Sequence, residues 1–194
     1  MTFRSRLLLA LAALALTATY VLPLWHIALQ APQYPEGLGL YISIDGVAGQ
    51  SPNDLNTLNG LNHYIGMHKI IPAEIPELRF LPVAIGVLAA LGLAAAAIGR
   101  RWALNTYAVI LVGGALAGLA DFWWWEYRYG HELDPMAAIK VPGMSYQPPL
   151  LGAKQMLNIN AHSWPASGGW IVTAAVVVVV ALAVVEHLRA RRAA

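Results

Sequence analysis

Residues Leu7 to Leu29 read LLLALAALALTATYVLPLWHIAL, an almost unbroken apolar run that follows Arg4 and Arg6. About 23 residues of this kind suffice to cross a bilayer as a tilted helix, so the run predicts a transmembrane helix over 7–29. The preceding arginines give it the look of a signal anchor. Ala13-Leu14-Ala15 also fits the small-x-small rule for signal-peptide cleavage, a competing reading, but the apolar run continues well past it to Trp25. Pro23 predicts a kink near the outer end, where Trp25 and His26 sit at the depth of an interfacial belt.

Working outward, three more apolar runs cover 80–98, 102–125 and 169–185. The 194-residue chain is 58% hydrophobic and only 11% charged, too apolar for a soluble domain. The expected fold class is therefore an all-α membrane protein, one membrane domain over 1–194 with four transmembrane helices. Gly99-Arg100-Arg101 is a very short turn, which makes the second and third crossings antiparallel neighbours. Gly86, Gly92, Gly113, Gly114 and Gly118 offer small faces for close helix packing. Trp123-Trp124-Trp125 begins an aromatic belt at the outer end of the third crossing.

Seven of the twelve basic residues, Arg4, Arg6, Arg100, Arg101, Arg189, Arg191 and Arg192, lie in three short pieces between or beyond the crossings. The positive-inside rule makes those pieces cytoplasmic. Both termini are then inside a bacterial inner membrane, and the two long loops, 30–79 and 126–168, are periplasmic. Pro and Gly at turn positions, interleaved with apolar residues, predict that these loops form a small ordered cap; Leu40 to Ile44 fits a short strand.

Composition also excludes chemistry. The chain has no cysteine, so disulfides, thiolate zinc sites, iron–sulfur clusters and covalent c-type haem are ruled out. A b-type haem would need histidines at matching depth, but His26 and His187 belong to opposite ends of the bundle. No basic run suits nucleic acid, and no nucleophile elbow or phosphate loop supports a hydrolase or kinase.

The chemistry-bearing stretch is Asn62-His63-Tyr64-Ile65-Gly66-Met67-His68. As a helix from Asp54 to His68, it puts Leu58, Leu61 and Ile65 on one face and Asn56, Asn59, His63 and Met67 on the other. An imidazole and a thioether four residues apart can hold one soft metal ion, and they can equally pack against a neighbour. His68, His131, Met136, Met144, Met156 and His162 add to the soft ligands of the outer segments. Thioether and imidazole without thiolate is the ligand set of copper in an oxidising compartment. The expected metal ligands are His63, Met67, Met144 and His26. Met144 is aimed by the Pro142-Gly143 turn, and His26 closes the site from the membrane side. Asn59 and Asp121 are expected to orient the imidazoles. Asp121, inside a crossing, should face the bundle, with His26, Glu126 or Arg128 at similar depth.

Four stretches together resemble a known family: Pro32-Gln33-Tyr34-Pro35-Glu36-Gly37-Leu38, Leu61 to Met67, Trp125-Glu126-Tyr127 and Lys140-Val141-Pro142-Gly143-Met144-Ser145-Tyr146-Gln147-Pro148-Pro149-Leu150. The chain is similar, from Leu22 to Pro165, to small membrane proteins encoded beside nitrous oxide reductase and its copper-maturation genes. The resemblance implies genomic company with a copper enzyme and carries over no functional residues. Three functions are expected in descending order. The first is a non-enzymatic accessory that binds or hands on copper for a periplasmic copper protein or chaperone. The second is a metal-free interaction subunit, and the third a quinol-interacting redox protein.

Overall fold

The computed structural model describes residues 1–156 and 158–193. It corrects the all-α expectation: five helices accompany a five-stranded antiparallel sheet. The helices are α1 (Phe3–Ala15), α2 (Asp54–Ile65), α3 (Glu77–Ile98), α4 (Arg101–His131) and α5 (Ser167–Ala193). The strands are β1 (Trp25–Ala31), β2 (Tyr34–Ile42), β3 (Val47–Gly49), β4 (Gly152–Met156) and β5 (Ile159–Pro165), in the order β3-β2-β1-β5-β4. Four helical stretches, Phe3–Tyr20, Glu77–Ile98, Arg101–His131 and Ser167–Arg192, are long and apolar enough to cross a membrane.

The opening apolar run is thus divided. Its first half is α1 continued by a 3-10 turn, Leu16–Tyr20, and its last residues are the central strand of the sheet. Pro23 does not kink a helix; it stands in the turn between the crossing and the strand. β1 is held on both sides, pairing Ile27 with Leu40 of β2 and with Ser163 of β5. Two full ladders of backbone hydrogen bonds outweigh the weak helix preference of Trp-His-Ile.

Alternation along β1 assigns the two faces of the sheet. Ile27 and Leu29, with Leu38 and Leu40 of β2, pack on Leu58 and Leu61 of α2. His26 and Ala28 therefore look out from the opposite face. α2 is anchored at its start by Asp54, whose buried carboxylate accepts from the Gly39 amide at 3.1 Å and the Ser51 amide at 3.0 Å. This ties the first helical turn to β2, where the helix dipole also favours a negative charge.

The bundle core is built on Leu9, Leu16, Leu104, Leu111 and Val179. Gly92 lets α3 approach α1 and α4 closely, because a Cβ there would lie 2.6 Å from both Ala13 Cβ and the Tyr107 ring. At the end of the bundle away from the sheet, the three basic pieces meet. Arg6 donates to Ala96 O at 2.8 Å and Ala97 O at 2.9 Å, and buried Glu186 accepts from Ser5 Oγ at 2.6 Å and Arg189 Nη1 at 3.1 Å.

Candidate functional site

α2 ends at Gly66, whose φ of 82° lies in the left-handed region that glycine adopts without strain. The amides of Gly66 and Met67 both donate to Asn62 O, which turns the chain back along the helix. Asn59 then clamps the returning strap from both sides: its Nδ2 donates to Ile70 O at 3.0 Å and its Oδ1 accepts from the Ile70 amide at 2.7 Å. Asn62 Nδ2 adds a bond to His68 O at 3.2 Å. The result sets Met67 and His68 beside His63.

The second outer segment closes over this turn. The Asp134 amide donates to Gly66 O at 2.8 Å and the Ile139 amide to Tyr64 O at 2.9 Å, while Tyr129 Oη donates to Lys69 O at 3.1 Å. Between the two segments lies an open cleft lined by His63, Met67, His68, Lys69, Glu132 and Asp134. No group of three His, Asp or Glu side chains among the described residues is placed to hold a metal ion. A metal here would need the Met67 thioether.

Of the predicted ligands, only His63 and Met67 share this cleft. His26 lies on the far face of the sheet, its ring stacked on Tyr41 at 4.5 Å and its Nε2 donating to Gln50 Oε1 at 2.9 Å. Met144 is half-buried in a separate turn, its amide bonded to Val141 O, and does not line the cleft. Asn59 orients backbone rather than an imidazole. Asp121 does not pair with His26; the charged group acting on it is Glu77 at the start of α3. The remaining soft side chains are dispersed: Met136 is exposed, Met156 is the buried last residue of β4, and His131 stacks on Tyr127.

No family model matches this chain, and no curated protein does. The site must therefore be read from its own residues. His68 lines the cleft with His63 and Met67, whereas Met144 and His26 do not. Glu132 and Asp134 were not anticipated, although the i,i+4 spacing of Arg128 and Glu132, an ion pair at 3.4 Å, was a readable sign that α4 continues past the aromatic belt.

Proposed function

We propose that this is a non-enzymatic membrane accessory protein that binds or hands on Cu(I) at the seam between its two outer segments. The observation that carries the reading is the convergence of His63, Met67 and His68 on one open cleft. Two imidazoles and a thioether are soft donors that suit Cu(I) better than hard cations. Glu132 and Asp134 at the rim supply negative potential towards an arriving cation. The similarity of the chain to proteins encoded with nitrous oxide reductase points to maturation of, or electron supply to, that enzyme as the setting.

In this reading the cap is periplasmic and the basic end cytoplasmic, in a bacterial inner membrane. The support is the gathering of Arg6, Arg100, Arg101 and Arg189 at the end of the bundle opposite the sheet. Reporter fusions after residues 60 and 150 are expected to read periplasmic, and one after residue 100 cytoplasmic. A reversed signal at any of the three would end this orientation.

For the metal, His63→Ala combined with Met67→Ala is expected to abolish competition with a Cu(I) chelator, while the protein still inserts and elutes as one species. His26→Ala and Met144→Ala should each compete like the unmodified protein, since neither side chain lines the cleft. Undiminished competition by the double variant would refute the site. The interaction-subunit reading would then gain, supported by the outer sheet face on which His26, Tyr41 and Trp164 stand in one row.

A further inference from the structure

The helices α3 and α4 are antiparallel, and two contacts set their register. Tyr107 lies on Gly92, and Leu88 Cδ1 is 3.8 Å from the Cβ position of Gly114, which brings Glu77 to the level of Asp121. Residues 107, 114, 118, 121 and 125 share one face of α4 at 3.6 residues per turn, so Gly118 also looks towards α3. Its level falls between those of Leu88 and Glu77, yet nothing lies within 4 Å of its Cβ position. The two helices are closed around Gly92 and part towards the cap.

This crevice has a polar roof. Glu77 Oε2 is buried and has no hydrogen-bond partner, and neither Glu77 nor Asp121 has an ion pair among the described residues. Above, the same face of α4 continues as Trp125, Arg128 and Tyr129, which with His68, Lys69 and Glu74 line a half-open cavity of about 340 Å³. That is at the small end of ligand sites, which run roughly 300–1,000 Å³. Trp125 stands one helical turn above Asp121, and the open space at Gly118 lies about one turn below it.

We propose that this is a binding site for an isoprenoid quinol. The ring lies against Trp125 and Tyr129, its hydroxyls donate to the carboxyls of Glu77 and Asp121, and the first isoprenoid units occupy the slot at Gly118. A phospholipid is the wrong occupant. Its phosphate would face three carboxyl groups, Glu74, Glu77 and Asp121, against two cations of the cavity wall, Lys69 and Arg128, the second of which is engaged by Glu132 at 3.4 Å. A partner helix needs an open stripe several turns long, and Leu88 closes this one at Gly114. The proposal shares His68 and Lys69 with the lining of the copper cleft but uses neither His63 nor Met67.

The test uses the full-length protein in neutral phospholipid vesicles and a quinol with a photoreactive diazirine on its isoprenoid tail. Adducts are expected within 74–88 and 114–129. Gly118→Leu, which fills open space, should lower labelling at least tenfold, and Asp121→Asn should weaken it. Gly113→Leu, equally unhindered but on another face of α4, should leave it unchanged. Excess unlabelled quinol should compete, whereas the oxidised quinone, which has no hydroxyl to donate, and a ring-free isoprenoid alcohol should compete at least tenfold less well. Labelling spread evenly over the lipid-facing helices would overturn the proposal. So would equal competition by the quinone or the ring-free alcohol, an arm that needs only the unmodified protein.

Discussion

Gly169→Ala and Gly168→Ala are each expected to abolish recovery of folded protein. A Cβ on Gly169 would fall on the carbonyl oxygen of Leu24 and 3.0 Å from Pro165 Cβ; one on Gly168 would lie 2.6 Å from Leu22 O and 2.7 Å from Pro23 O. The obstacles are backbone atoms, so no side chain can swing aside. The Gly168 amide donates to Pro23 O at 2.9 Å and the Ala166 amide to Leu24 O at 3.0 Å, which stitches the start of α5 to the entrance of β1. Overpacking a core costs about 1–3 kcal/mol when side chains can adjust; here the joint between bundle and sheet must open, and roughly 3 kcal/mol or more is expected at each site. Gly60→Ala is the control. It sits in mid-helix in α2 with nothing within 4 Å, so it should stabilise by about 0.5–1 kcal/mol. Monodisperse yield and thermal melting in detergent measure all three. Wild-type melting of the Gly169 variant would show that the joint is not as tight as described.

The second large effect is expected at Gly66. Alanine there would meet a left-handed backbone, which costs roughly 1–2 kcal/mol. It would also press on Ala137 Cβ at 2.9 Å and on the Asp134 backbone at 3.0 Å. Together these amount to roughly 2–4 kcal/mol, concentrated where residues 134–139 dock on α2. The seam should therefore loosen while the bundle remains intact, an example of local rather than global unfolding. Limited proteolysis is expected to cut within 130–150 much faster in Gly66→Ala than in the parent. Cu(I) competition should weaken in parallel, although both His63 and Met67 are still present. Unchanged cleavage in that segment would mean that the two outer segments are not held together at Gly66.

The crossings were legible in the sequence because lipid demands long apolar runs; Phe80 to Ile98 and Trp102 to Trp125 fall within α3 and α4. The sheet was not. The run Trp25-His26-Ile27-Ala28-Leu29-Gln30 does alternate large apolar residues with small or polar ones, a period of two. That signal was hidden because it continues a helical run without a polar break. β2 contains Gly37, Gly39 and Pro35, poor strand formers whose conformation is set by their partners instead. The candidate site divides in the same way. His63 and Met67 were singled out as i,i+4 neighbours on a helix reaching His68, but α2 stops at Ile65, and it is the turn at Gly66 that puts Met67 on the cleft with His63. His26 was misplaced because, once its segment is a strand, it points to the face opposite Ile27, away from α2. His68 needed the turn at Gly66, which brings it back beside His63.

The central strand also sets a constraint on biogenesis. β1 takes one partner from the adjacent hairpin and the other from β5, which lies across three further helices in the sequence. At a synthesis rate of about 5–20 residues per second, the roughly 130 residues between them separate the two by on the order of ten seconds. Throughout that interval the nascent first segment carries an unpaired strand edge, the kind of template on which other chains aggregate. β5 leads directly into α5, so the edge is covered only as the last crossing takes its place. A chain stalled before that step would remain anchored in the membrane with an adhesive edge, which makes insertion of the final helix the quality-control point for the whole cap.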